Sequence, residues 1–199
     1  MPEMLEKYAR YLRVIDTKIQ EFFEQQKPYI FCKERCSICC EKGKYPYTKL
    51  EFDFLMCGFG ELSLEIKNEV GKKVDEIKAA QKEWNKNSDP KNFTYVCPFL
   101  IDKKCSLYPY RGLICRVFGI AWYKEDGSIN IPYCVDMGLN YSNVFDKGKK
   151  CFSKEMFEKT GFSEEPLAFN VSLKSLRQND GVDYLGLQFG ETRALIDWL

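Results

Sequence analysis

Apolar residues recur at helical spacing from the start of the chain. Leu5, Tyr8, Leu12, Ile15, Ile19 and Phe22 follow one another in alternating steps of three and four. This predicts an amphipathic helix over 3–27, opened by Pro2 and stopped by Pro28. The same spacing fits a coiled-coil seam, but about three heptads is the least that supports one. A single helix laid over a core is the stronger reading of the pattern. Thr48-Lys49-Leu50-Glu51 reads as a capping box opening a short helix that ends near Gly58. Ser63 caps a longer helix over 64–86 with an apolar face of Ile66, Val70, Val74, Ile77 and Trp84. Asn87-Ser88-Asp89-Pro90 breaks it.

The pattern changes over 93–135. Phe93-Thr94-Tyr95-Val96 is strand-like, and so is the run from Val117 to Tyr123. Asp126-Gly127 then turns into Ile129-Asn130-Ile131-Pro132, which predicts a hairpin. From Ser153 short helical patterns return, ending in Ala194-Leu195-Ile196-Asp197-Trp198-Leu199. There are no internal repeats and no low-complexity segments. The expectation is an α+β chain forming one domain over 1–199. It has an N-terminal helix (1–28), an irregular middle with a small β-hairpin (29–135) and a C-terminal helical segment (136–199).

Composition narrows the function. Hydrophobic residues make up 45% of the 199 and charged residues 30%, so the chain can bury a core without disulfides. Thirty basic residues against 29 acidic leave a net charge of +1, which gives no reason to expect nucleic acid or an anionic membrane as partner. No apolar run approaches the ~20 residues of a membrane span. The segment Met1 to Lys7 lacks the basic and apolar regions of a signal peptide. The expected compartment is the cytoplasm, where thiols stay reduced. Ten cysteines there point to metal or catalysis rather than to disulfides.

Histidine is absent. This removes Ser-His-Asp and Cys-His catalysis, histidine-ligated haem, Cys2His2 fingers and HExxH metalloproteases. A soft-metal site must use cysteine alone, or cysteine with carboxylate, water or substrate.

The cysteines fall into two clusters. The first is Cys32-Lys33-Glu34-Arg35-Cys36-Ser37-Ile38-Cys39-Cys40. The second is Cys97-Pro98-Phe99-Leu100, Cys105-Ser106-Leu107-Tyr108 and Cys115-Arg116, with Cys134 further on. Cysteines two or three residues apart can turn their sulfurs around one cation, and two such groups complete a tetrahedral thiolate site. Arg35, Arg111 and Arg116 are candidates to offset the thiolate charge, and each also suits a solvated surface. Cys57 and Cys151 stand alone and read as small hydrophobes. The spacing is neither a ferredoxin pattern nor the double CxxC of a zinc ribbon. Adjacent Cys39 and Cys40 serve two metals, or one of them is a redox or packing residue. The eight clustered cysteines allow two four-thiolate sites, or one site with spare thiols.

These stretches resemble the CxxCxxCC family of zinc- or iron-chelating proteins, the YkgJ-type cysteine-cluster family. The similarity runs from Phe31 to about residue 135, most specifically through Cys97-Pro98-Phe99-Leu100, Cys105-Ser106-Leu107-Tyr108-Pro109-Tyr110-Arg111 and Cys115-Arg116-Val117-Phe118. It implies that Cys32, Cys36, Cys39, Cys40, Cys97, Cys105, Cys115 and Cys134 are the family's metal ligands. Gly112 stands where a proline commonly follows the arginine.

The family is described as metal- or iron–sulfur-containing and includes flagellin lysine N-methylase, an S-adenosylmethionine-dependent enzyme. The expectation is therefore an iron–sulfur or zinc centre, iron–sulfur (such as 4Fe–4S) being favoured. A methylase that uses S-adenosylmethionine on a protein substrate is one alternative. A zinc-stabilised interaction module and a thiol-redox protein are two others. Gly58-Phe59-Gly60-Glu61 lacks the full G-x-G-x-x-G run and follows a helix pattern, so it reads as a helix end rather than a cofactor loop. The overall reading is an irregular, cysteine-rich, metal-centred domain with flanking helices.

Overall fold

The computed structural model describes residues 2–33, 35–124, 126–170, 173–178 and 186–199. Helix α1 (Glu3–Gln25) forms where the periodicity predicts it. Its six stripe residues are all buried, together with Tyr11. A short 3-10 turn, Lys27–Tyr29, follows with Pro28 in its first turn.

Along the chain come α2 (Ile38–Glu41), β1 (Pro46–Thr48), α3 (Lys49–Glu61) and α4 (Leu64–Asn87). Next are β2 (Leu100–Ile101), β3 (Lys104–Cys105), α5 (Leu113–Val117), β4 (Trp122–Tyr123) and β5 (Ile129–Asn130). The chain continues through β6 (Phe145–Asp146), β7 (Cys151–Phe152), α6 (Lys154–Glu158) and α7 (Leu173–Gln178), and ends in β8 (Thr192–Ala194) and α8 (Leu195–Trp198). The architecture is mixed α+β, and every strand pair is antiparallel. Within the C-terminal helical segment, residues 171–172 and 179–185 lie outside the described residues. Among the described residues no helix is long and apolar enough to cross a membrane.

Local signals account for the helix starts. Thr48 and Glu51 form the full reciprocal capping box, and Ser63 and Ser153 accept the backbone N–H groups of Ile66 and Met156. Helix α3 runs to Glu61 rather than stopping near Gly58. Gly58 is a packing glycine: a Cβ there would meet the Tyr110 ring at 2.2 Å. The Tyr110 hydroxyl donates to the Glu61 carboxylate, at 2.9 and 2.8 Å, at the end of that helix. On α4 only Val70 and Val74 of the expected face are buried, and Trp84 is exposed.

The strand expectations need correction. Only Trp122–Tyr123 of the run from Val117 is a strand, paired with Ile129–Asn130 as the predicted hairpin. Val117 ends α5 instead, and Gly119 then takes a left-handed conformation (φ +93°) that interrupts extended chain. A Cβ on Gly119 would meet the Cys32 sulfur at 2.6 Å. Of Phe93–Val96, only Tyr95 pairs, in an isolated bridge to Gly43.

The chain divides into two compact units. The first comprises Met1–Tyr8, Arg35–Cys115 and Gln188–Leu199. The second comprises Ala9–Glu34 and Arg116–Leu187. In the first, β8 pairs with β1 and places Arg193 opposite Tyr47. Tyr8 packs edge-on against Phe54 and Phe189, with ring centroids 5.4 and 5.9 Å away. The second unit has a core of Tyr29, Ala121, Val135, Tyr141, Val144, Phe145 and Ala168.

Candidate metal centre

Five thiols of the first unit come from four pieces of chain. Cys39 and Cys40 lie on α2, Cys97 follows the Tyr95 bridge, Cys105 is in β3 and Cys115 is in α5. Backbone pairing joins the two clusters. The Cys97 N–H donates to the Cys40 carbonyl at 2.8 Å, and Gly43 and Tyr95 exchange both backbone bonds, at 3.2 and 3.0 Å. The Leu100 N–H donates to the Cys97 carbonyl at 3.0 Å, which turns the chain into the β2–β3 hairpin and sets Cys105 opposite Leu100.

Cys115 is held through the residues that open its helix. The buried Glu51 carboxylate accepts the Leu113 N–H at 2.8 Å. The Cys115 N–H donates to the Gly112 carbonyl at 3.1 Å. The Tyr47 hydroxyl lies 3.3 Å from Cys115 Sγ and accepts the Gly112 N–H at 3.0 Å. A Cβ on Gly112 would meet the Tyr47 ring at 2.8 Å and Glu51 Oε1 at 3.1 Å. The position therefore needs glycine for its space and a residue other than proline for its N–H.

Arg111 covers one side. Its guanidinium stacks 3.5 Å over the Tyr108 ring and donates to the carbonyls of Tyr108 and Cys115, at 3.0 and 3.3 Å. Tyr45, Tyr47 and Tyr95 wall the thiols and are themselves buried.

The charges of these thiols act on one another. Burial pushes the Cys97 thiol well above the ordinary range, and the charges of Cys115 and Cys105 add to it. Burial pushes Cys115 up to about 12, against the Tyr47 hydrogen bond, with Cys105 raising it and Arg111 lowering it. Cys105 is raised by burial, opposed by the Leu107 N–H and Arg111. Cys39 and Cys40 titrate as a coupled pair. The hydrogen bond between their sulfurs lowers Cys39 and raises Cys40, whose thiol also feels burial and the charges of Cys39, Cys97 and Cys115.

The donor set fits a soft cation. It consists of sulfurs with no imidazole, most of them held neutral by burial and mutual repulsion, and a cation relieves both. As the side chains stand, no group of three or more Cys, Asp or Glu among the described residues is arranged to hold a metal ion.

Three further cysteines are expected as ligands: Cys32, Cys36 and Cys134. Cys36 is half-buried in the first unit, just before Ser37 at the start of α2. Cys32 and Cys134 belong to the second unit. There the buried Asn140 side chain donates to Cys32 Sγ at 3.2 Å and to the Gly119 carbonyl at 2.6 Å, and accepts the Phe31 N–H at 2.8 Å. Cys134 sits in the 3-10 segment Tyr133–Met137. Of the three arginines, Arg111 faces the thiols, while Arg116 is buried in the second unit and paired with Asp16. Arg35 is exposed with a left-handed backbone (φ 67°). Cys57 and Cys151 are both half-buried, in α3 and β7.

Sequence reasoning missed Tyr47 and the second role of Glu51. Gly112 was the available signal, because a glycine in place of a proline keeps a backbone N–H for some acceptor. No family model matches the chain, and neither the curated proteins nor the solved structures include a match to it.

Proposed function

We propose that the protein binds metal through the thiolates of its first unit, as an iron–sulfur cluster or as zinc. Cys39, Cys40, Cys97, Cys105 and Cys115 are the donors, and Cys36 of the same unit is a further candidate. The observation that carries this reading is one buried thiol, Cys97, and four half-buried ones on backbone segments tied to one another, with Arg111 acting on Cys39, Cys105 and Cys115. Ionising such a cluster costs stability unless a cation offsets the thiolate charge. The resemblance of residues 31–135 to the cysteine-cluster family points the same way. When bound, the metal supplies either redox chemistry or a structural cross-link.

Tyr45, Tyr47 and Tyr95 exclude water, Arg111 offsets thiolate charge, and Glu51 holds the helix that carries Cys115. Purification without oxygen, followed by iron, zinc and acid-labile sulfide per chain with a visible spectrum, tests the proposal. Iron with matching sulfide and a brown protein is the expected result. Zinc without sulfide gives the structural form of the same site, and no metal overturns the reading.

A further inference from the structure

We infer that the Tyr47 hydroxyl is a dedicated hydrogen-bond donor to the Cys115 thiolate, a positioning group that fixes this sulfur and sets its donor strength toward a metal. The inference rests on the metal-binding reading above and deepens it.

Geometry carries the argument. Tyr47 Oη is 3.3 Å from Cys115 Sγ, within the range of a sulfur hydrogen bond. A phenolic hydroxyl has one proton to give. Its oxygen already accepts the Gly112 N–H at 3.0 Å, so that lone pair is taken. A thiolate sulfur is an acceptor only. When Cys115 is ionised, the hydroxyl proton must point at sulfur. The N–H on the oxygen polarises the O–H and strengthens its donation.

The hydroxyl has little freedom to leave. Tyr47 is 2% exposed and lies in β1 opposite Arg193. Its carbonyl accepts the Trp198 Nε1–H at 2.9 Å. Gly112 is pressed against the ring, and Glu51 braces the helix that brings the sulfur. Ring burial alone would be served as well by phenylalanine. The two hydrogen bonds of the hydroxyl are what tyrosine adds.

A hydrogen bond to a metal-bound thiolate draws density from sulfur and holds its direction. Such outer-shell partners carry about 10–100-fold in metal affinity.

The test is to strip the full chain of metal and reload it with cobalt(II) without oxygen. The sulfur-to-cobalt charge-transfer band reports the donor energy of the thiolates. Tyr47→Phe is expected to move the band to lower energy, because a sulfur without its hydrogen bond is easier to ionise. Cobalt affinity should fall by about 10–100-fold, because protons compete better for a sulfur that is no longer held. A ring-fluorinated tyrosine at position 47 has a more acidic hydroxyl and should move the band the other way. Tyr110→Phe, whose hydroxyl goes to Glu61, should leave it in place.

If Tyr47→Phe fails to fold, the fluorinated residue keeps the hydroxyl and carries the test. A wild-type band that neither Tyr47 variant shifts overturns the inference and leaves the metal site standing. A wild-type protein with no thiolate band overturns both.

Discussion

Glu51 joins the start of its own helix to the helix that carries Cys115. One carboxylate oxygen accepts the Thr48 N–H and hydroxyl, both at 2.8 Å, and the other accepts the Leu113 N–H at 2.8 Å. A helix cap thus doubles as a brace for the candidate centre, 62 residues away in sequence.

Glu51→Ala should leave the Thr48 and Leu113 N–H groups buried without an acceptor. The expected loss is on the order of 3 kcal/mol, since each orphaned donor costs about 1–3 kcal/mol. Glu51→Gln keeps an acceptor for Leu113 and should lose less. Urea unfolding of the metal-free protein checks this, and equal midpoints for wild type and Glu51→Ala would refute the brace.

Gly112 is expected to resist substitution in a graded way. Gly112→Ala forces a Cβ to within 2.8 Å of the Tyr47 ring and should cost about 1–3 kcal/mol by overpacking. Gly112→Pro adds the loss of the N–H that Tyr47 accepts and should cost more. Thermal unfolding of the two variants against wild type reads the difference. A proline tolerated as well as alanine would mean that the Tyr47–Gly112 bond contributes nothing.

The metal-free protein should weaken as pH rises. Cys97, Cys105 and Cys115 have folded pKa values above the ordinary thiol range, Cys115 at about 12. Above about pH 8.5 the unfolded chain loses protons that the folded chain keeps. Stability then falls by about 1.4 kcal/mol per pH unit for each such thiol, until pH passes the folded value. Below the unfolded value these three thiols add no pH dependence. Metal loading should reverse the trend, because bound thiolates must be reprotonated before metal leaves, and acid becomes the destabilising condition. Denaturant midpoints measured across pH with and without metal check the sign. A metal-free protein that grows more stable from neutral to alkaline pH would contradict the burial of these thiols.

Local chemistry was legible in the sequence, and long-range pairing was not. The stripe from Leu5 to Phe22, the Thr48–Glu51 box and the Ser63 cap are short-range signals, and each forms as read. The β2–β3 hairpin that places Cys105 turns through Asp102 and Lys103, both with positive φ (47° and 59°). Neither is a glycine or asparagine, so the usual turn signal is missing. The β1–β8 pair that braces Tyr47 joins residues 46–48 to 192–194, far apart in sequence, and nothing local marks it. The run from Val117 looked extended because its residues are apolar and branched or aromatic. Backbone demands at Gly112 and Gly119 decided otherwise. The cysteine clusters themselves announced the candidate centre. Which thiols gather followed only from the pairing of Cys97 with Cys40 and the seating of Cys115 over Tyr47.

The most direct test of the central claim is metal per chain, measured on Cys97→Ser, Cys57→Ala and wild type purified side by side without oxygen. Cys97 is the most buried of the five thiols by residue exposure and the one whose backbone joins the two clusters. The account predicts near-stoichiometric metal in wild type and Cys57→Ala, and little in Cys97→Ser. Equal metal in all three, or loss in Cys57→Ala alone, would contradict it.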